Sequence, residues 1–170
     1  MSLSTEFITQ AVFRLHEESV PRLLQCVKEV NDEQLWWRPN ENSNSIGNLV
    51  LHVTGNVNQW INAGLGGDDD TRVRQSEFDN RGEIGRVEMV ECMDAVMSRA
   101  KQVLHGLRES DLLKIHSVQG YKETGVSIVL HVVEHFSYHV GQMTYIVKSL
   151  RDIDTGYYSG HNLDKRNNLV

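Results

Sequence analysis

The chain has 170 residues, of which 39% are apolar and 24% charged, a composition ordinary for a globular domain with a sizeable core. A net charge of −6 without a basic stripe gives no reason to expect nucleic-acid binding. No apolar run is long enough to span a membrane, so a membrane partner is not expected either.

The first predicted helix covers residues 4–31, where apolar residues recur with the period of an α-helix. Pro21 lies inside this run, so we expect a kink or break near it. The stretch LWWRPNENSNS that comes next is rich in turn-forming residues and ends at Ser45, a plausible N-cap. The second predicted helix covers residues 46–63, with apolar residues at Ile46, Leu49, Val50, Val53, Val57, Trp60 and Ile61.

Two further helices and two polar connections complete the chain. Residues 64–83 predict a long connection, and residues 86–107 predict a third helix in which Met89, Met93 and Met97 fill the core. Residues 108–125 predict a second connection, and the fourth helix covers about residues 126–150. Four long amphipathic helices predict an all-α four-helix bundle, with one domain over residues 1–155 and a loosely ordered tail over residues 156–170.

The N-terminus and the two cysteines lead us to expect a cytoplasmic protein. The sequence does not begin with the basic, apolar and small-residue regions of a signal peptide. Cys26 and Cys92 are far apart in the sequence, and neither belongs to a CxxC motif. This favours two free thiols in a reducing compartment and argues against a cysteine metal site.

The fourth predicted helix contains HVVEHFSYHVGQ, residues 131–142, with three histidines spaced four residues apart. Each step of four residues advances about 40° around a helix. His139 therefore lies inside the apolar arc, His135 at its edge and His131 further out. His135 and His139 are thus the pair better placed for the core, and two imidazoles at positions i and i+4 can meet one metal ion.

Two interpretations of this pair stay open at this point. Each imidazole could simply hydrogen-bond to a neighbouring helix, as a single buried histidine usually does. The pair could instead bind a metal ion, since bundle cores are a common place for metal sites. A third ligand must then come from another helix. His52 is the candidate, although it lies roughly 60° from most of the apolar stripe of its helix, and a half-exposed histidine is the alternative there.

Two segments together resemble the DinB/YfiT-like superfamily. One is the histidine-containing second helix in SIGNLVLHVTGNVNQWI, and the other is HFSYHVGQM, which is similar to the superfamily's HxxxHxGQ signature. WWRPNENSNSIGNLVLH resembles the superfamily's entry into the second helix, and GLGGDDDTRVRQSEF resembles a subgroup described only as a domain of unknown function. The resemblance covers about residues 5–150 and most of the chain.

The resemblance implies a bundle of four main helices that holds one divalent metal ion, typically zinc or nickel, at one end. Carried over by position, the implied ligands are His52, His135 and His139. Characterised relatives include low-molecular-weight-thiol S-transferases and a thiol-dependent isomerase, while many others have no known activity. Three imidazoles leave coordination positions open, so the ion could lower the pKa of a water or a thiol cofactor.

We therefore expect a metal-dependent enzyme, a thiol S-transferase or a hydrolase, that acts on a small-molecule substrate. The alternative is a non-catalytic metal-binding bundle linked to stress or detoxification, and a bundle without metal is the third. Monomer and homodimer both stay open.

Four further residues are candidates for binding a cofactor or substrate. Asn56 and Gln142 lie one helical turn from two of these histidines and are candidates to support them by hydrogen bonds. Arg72 and Arg74 lie in the connection after the second helix and are candidates to bind a carboxylate of the substrate or thiol. The alternatives are polar packing for the two amides and solvent exposure for the two arginines.

Overall fold

The computed structural model describes residues 2–166, and its first long helix consists of three segments. Helix α1 covers Leu3–Val12, a π-helical segment covers Phe13–Ser19, and helix α2 covers Val20–Lys28. The chain stays helical through Pro21, so the helix is not broken there. Proline cannot donate a hydrogen bond, and its ring crowds the carbonyl four residues back. The wider π turn ends at Ser19, two residues before Pro21, and contains the carbonyl that the proline ring would otherwise crowd.

The second long helix begins where the sequence predicts. It follows a short helix α3, Asp32–Leu35. Ser45 is the N-cap of α4, Ile46–Val57, because its side chain accepts the N–H of Asn48 while the Asn48 side chain accepts the N–H of Ser45. A second π-helical segment, Asn58–Ala63, continues the helix. The predicted N-cap is confirmed.

Both polar connections contain regular structure that the sequence patterns do not predict. The short elements are helix α5, Arg74–Asp79, helix α7, Glu109–Leu113, and strands β1, Ile115–Val118, and β2, Tyr121–Thr124. The two strands form an antiparallel hairpin in which Val118 lies opposite Tyr121. Gln119 and Gly120 form its turn with φ values of 49° and 82°, the left-handed region that two-residue hairpin turns require.

Helices α6, Arg86–Gly106, and α8, Gly125–Arg151, are the third and fourth helices that the sequence predicts. Helix α4 packs against both of them, and α2 packs against α8. The apolar faces of the long helices share one core, in which Met89, Met93 and Met97 are buried as predicted. The all-α bundle is confirmed. Within residues 2–166, no helix combines the length and apolarity needed to cross a bilayer.

The segment after α8 packs against the bundle as far as Tyr157. The Tyr157 hydroxyl lies 2.8 Å from Thr144 Oγ1 and 3.3 Å from Cys26 Sγ. Burial raises the pKa of Cys26, and burial together with the Cys26 contact raises the pKa of Tyr157 to about 12. Both cysteines are free thiols, Cys26 buried and Cys92 exposed. The last four residues of the predicted tail, 167–170, lie outside the described residues.

Candidate metal centre

Three imidazole nitrogens from two helices converge on one point. His52 comes from the middle of α4, and His135 and His139 come from successive turns of α8. The Nε2 atom of His135 lies 3.1 Å from Nε2 of His52 and 3.2 Å from Nε2 of His139. Zinc–nitrogen bonds of tetrahedral geometry would place such nitrogens about 3.3–3.4 Å apart, so the spacing fits a single ion.

His52 is held by a carboxylate from the first polar connection. The residue is 5% exposed, and its Nδ1 atom lies 2.9 Å from Oε2 of Glu77 in α5. An ionised carboxylate can only accept, so His52 Nδ1 carries the proton and donates it to Glu77. In the neutral form, which is the form that binds a metal ion, this ring presents a lone pair on Nε2, the atom that faces the other two histidines.

Glu77 is in turn fixed by Arg72. The Arg72 guanidinium donates from Nε to Oε1 at 2.7 Å and from Nη2 to Oε2 at 2.9 Å, a two-point pair in which both side chains are under 10% exposed. Burial by itself raises the pKa of Glu77, but the hydrogen bonds from His52 and Arg72 outweigh burial and lower that pKa. Glu77 is thus kept ionised, and it keeps His52 in the required tautomer.

His139 has the same tautomer for a different reason. Its Nδ1 lies 2.7 Å from the side-chain oxygen of Gln142, one turn further along α8. An amide oxygen accepts, so Nδ1 of His139 donates and its Nε2 presents a lone pair. Burial, only partly opposed by this hydrogen bond, lowers the pKa of His139. Glu77 and Gln142 therefore fix the tautomers of two of the three rings, so that each of these rings directs an Nε2 lone pair at the cluster.

His135 is the least supported of the three rings. Its Nδ1 is buried and has no hydrogen-bond partner among residues 2–166. Burial, followed by the repulsion of His139 and His52, lowers the pKa of His135 to about 3. At neutral pH the ring is uncharged, which is the form that binds a metal ion. When the single ring proton sits on Nδ1, the Nε2 lone pair is free for an ion.

The other sequence candidates lie in different environments. Arg72 is not solvent-exposed, because it contacts Glu77 and donates from Nη1 to Gln59 Oε1 at 2.9 Å. Arg74 is exposed and lies over the Phe78 ring at 4.8 Å. Asn56 is buried, and its side-chain amide nitrogen lies 3.4 Å from Nε2 of His131.

His131 lies outside the cluster, as the helical wheel predicts, but it does not project into solvent. Its ring stacks on Trp60 with 4.0 Å between centroids. Trp60 lies in the π-helical continuation of α4, and its indole N–H donates to the Gln119 side chain at the hairpin turn, at 2.9 Å. Glu134, which precedes His135 in the sequence, is exposed and contributes no carboxylate to the cluster.

Glu77 is the residue of the site that the sequence does not predict. It lies in a segment whose polar composition indicates an irregular connection, so nothing places its carboxylate against α4. One signal is present in the sequence: Gly55 is a glycine inside the predicted helix, three residues after His52. A Cβ atom at this position would collide with the Glu77 carboxylate, so glycine allows Glu77 to lie against the helix backbone.

Comparison with known proteins agrees with this architecture. The family described as "Protein of unknown function (DUF1572)" matches residues 2–159. Among solved structures, a DinB-like protein (YjoA) from Bacillus subtilis, a crystal structure at 2.30 Å resolution, is similar with a TM-score of 0.63. The two chains are 19% identical, and the match covers 83% of this chain and 91% of that chain. No curated protein matches the sequence. The fold is therefore DinB-like, as the resemblance implied.

Proposed function

We propose that this chain, which belongs to the DUF1572 family of proteins of unknown function, binds one divalent transition metal ion through His52, His135 and His139 and uses it for nucleophilic chemistry on a small molecule. The observation that supports this best is the convergence of three imidazole nitrogens, which lie within 4.8 Å of one another. Imidazole donors suit zinc and nickel, and these are the ions that we propose.

The donor set fits an ion with an open shell. Within residues 2–166, the cluster of metal-ligating side chains consists of these three histidines, without a fourth histidine, cysteine or carboxylate. Three protein ligands are typical of catalytic zinc sites, whereas closed structural sites have four. When bound, the ion would supply Lewis acidity that lowers the pKa of a water or thiol and so provides a nucleophile at neutral pH.

The side chains around the histidines have separate roles in this proposal. Glu77 and Gln142 accept the Nδ1 protons of His52 and His139, which keeps both Nε2 lone pairs directed at the cluster. Arg72 holds Glu77 in place and balances its charge. The reaction class that this arrangement supports is thiol S-transfer or hydrolysis. In thiol S-transfer, the thiol would be a second substrate beside the small molecule.

The first experiment measures metal content. Protein purified without an affinity tag should contain, or take up after metal stripping, about one zinc or nickel ion per chain by plasma mass spectrometry. His52→Ala, His135→Ala and His139→Ala should each lose tight binding. His131→Ala is the matched control, because His131 lies one turn from His135 on α8 but contacts Trp60 and Asn56. Wild-type affinity in all three variants would refute the site.

The second experiment separates the enzyme from the non-catalytic alternative. Metal-loaded and metal-stripped protein are screened with thiols of low molecular weight and electrophilic acceptors, and with ester and amide substrates. Turnover that requires the ion and disappears in His139→Ala supports the enzyme. A metal-loaded protein whose ion binds neither water nor thiol, seen by X-ray absorption as a closed shell, favours the non-catalytic bundle.

A further inference from the structure

A cavity of about 790 Å³ lies between α8 and the segment that joins α3 to α4. Its size falls within the roughly 300–1,000 Å³ of pockets that bind small organic molecules. Leu49 of α4 and Ile146 of α8 contribute apolar surface, and Trp37 and Pro39 come from the connecting segment. None of its twelve lining residues is one of the three clustered histidines, so ligand binding in this cavity does not depend on the proposed metal.

The lining of this cavity is uncharged. Although 24% of the chain is charged, not one of the twelve lining residues is an aspartate, glutamate, lysine, arginine or histidine. A ligand with a formal charge would meet no counter-charge among these side chains and would lose part of its hydration against them. Arg72, the sequence candidate for binding a carboxylate, is already paired with Glu77 and does not line the cavity. The charge pattern therefore selects for a neutral ligand.

Aromatic and amide side chains indicate the shape and chemistry of that ligand. The cavity is lined by three aromatic side chains, Trp37, Tyr138 and Tyr145, which are 41%, 62% and 75% exposed. A flat ring that covered them would therefore bury a large apolar area. Asn44 and Gln142 add hydrogen-bonding groups. The Gln142 oxygen accepts from His139, and the Gln142 N–H groups have no partner among residues 2–166, so they are free to donate to a ligand.

We propose that this cavity binds a neutral small molecule that carries an aromatic ring and a hydrogen-bond acceptor. The ring packs against Trp37, Tyr138 and Tyr145, and the acceptor receives a hydrogen bond from an amide of the cavity wall. The cavity lies one side chain away from His139 through Gln142. A ligand bound there is therefore adjacent to the proposed metal centre, but its binding requires no ion.

The test uses three probes that share one fused ring and differ in charge: 2-naphthamide, 2-naphthoate and 2-naphthylmethylamine. Dissociation constants are measured by ligand-observed NMR on the full chain, both metal-stripped and metal-loaded. The neutral amide should bind at least about tenfold more tightly than either ion, because a charged probe is desolvated without a partner. The preference is read from the metal-stripped protein, in which no ion is available to the carboxylate or the amine, so failure of the metal proposal would leave this result unchanged.

Three variants make the test specific. Tyr145→Ala removes an exposed wall of the cavity and should weaken 2-naphthamide by about tenfold, in line with the loss of one aromatic contact. Leu130→Ala is the control, since Leu130 is 55% exposed on the same helix and does not line the cavity. Asn44→Asp places a carboxylate in the cavity and should shift the preference to the amine.

Several results would overturn the proposal. Absence of saturable 2-naphthamide binding, equal or tighter binding of either ion, or an unchanged affinity in Tyr145→Ala each contradicts it. Sedimentation that finds a dimer of the wild type and a monomer of Tyr145→Ala would show that a second copy of the chain covers this face instead.

Discussion

At the scale of single residues, Glu77 is the residue on which the geometry of the cluster depends most. It accepts from His52 Nδ1, and so determines which His52 nitrogen faces the other two imidazoles. Hydrogen-bond partners of metal-binding histidines commonly contribute about 10–100-fold to metal affinity, because they fix the tautomer and raise the basicity of the ring. The effect of Glu77 should therefore be visible in metal binding without any change of a ligand.

Glu77→Gln should weaken metal binding about 10–100-fold, since an amide oxygen still accepts from His52 but carries no charge to raise its basicity. The dissociation constant is measured by competition with a chromophoric chelator. Glu134→Gln is the matched control, because Glu134 precedes His135 in the sequence but is exposed. Equal affinities of the wild type and Glu77→Gln would show that Glu77 has only a structural role.

Arg72 and Arg74 offer a second comparison at this scale. Arg72→Met leaves the buried Glu77 carboxylate without its cation, and the free energy of unfolding should fall by about 3–5 kcal/mol. Arg74→Met should lower it by less than about 1 kcal/mol, since exposed Arg74 loses only its contact with the Phe78 ring. Urea unfolding of the metal-stripped proteins measures both. Similar losses in the two variants would contradict the role given to the Arg72–Glu77 pair.

At the scale of elements, the long helices were predictable and the short elements were not. The four helices carry apolar residues with a helical period over many turns, and Ser45 provides a clear start for α4. The hairpin has strands of four residues that are mostly exposed, so β1 and β2 show no alternation of buried and exposed positions. Helix α5 has six residues and a single buried one, Glu77, which no search for an apolar face can find.

The candidate site was likewise predictable only in part: the histidines of α8 were placed by their helix, and His52 was not. The wheel of α8 ranks His135 and His139 correctly against His131, because all three lie on one regular helix. On the helical wheel of α4, His52 lies at the margin of the predicted buried face, because the wheel identifies a buried face only by its apolar residues. In the structure His52 is buried by a polar neighbour from α5, which covers the side of α4 that the apolar stripe leaves open. A residue that is buried by a short segment from elsewhere in the chain shows no periodic pattern in its own helix.

The packing of α5 against α4 can be tested at Gly55. Gly55→Ala introduces a Cβ atom that collides with the Glu77 carboxylate, which three hydrogen bonds from Arg72 and His52 hold in place. We expect a loss of about 1–3 kcal/mol in the free energy of unfolding and weaker metal binding. Gly141→Ala on α8 is the control, because its Cβ would meet nothing within 4 Å. Alanine there should stabilise the helix by about 0.5–1 kcal/mol, and a stability gain in both variants would contradict the close approach.

At the scale of the whole molecule, the cluster connects elements that are distant in the sequence. A bound ion would link α4 to α8, while Glu77 links α4 to α5. An ion that binds only the folded chain stabilises it by about 2.7 kcal/mol at a free concentration about one hundred times its dissociation constant. The melting temperature should therefore rise with added zinc or nickel and fall with chelator, as differential scanning calorimetry would show. The His135→Ala variant should respond to neither addition.

The same cluster should make the metal-free protein sensitive to acid. Burial lowers the pKa of His135 to about 3 in the folded chain, while the pKa of an unfolded histidine is about 6.5. Below about pH 6.5 the unfolded chain therefore binds a proton that the folded chain does not, and the free energy of unfolding falls as the pH drops towards about 3. His139, His131 and His16 also have lowered pKa values, so their effects add in the same direction.

The contribution of His135 can be isolated by the slope of stability against pH. In chelator-treated protein, His135→Leu should reduce the slope between about pH 6 and pH 5 by up to one proton, or about 1.4 kcal/mol per pH unit. This range lies above the usual pKa of carboxyl groups, so Glu77 adds little to the slope there. His161→Gln, which removes a histidine from the exposed tail, is the control variant. Identical slopes in the wild type and His135→Leu would mean that His135 is protonated as readily in the folded chain as in the unfolded one, which would contradict the lowered pKa that burial gives this ring.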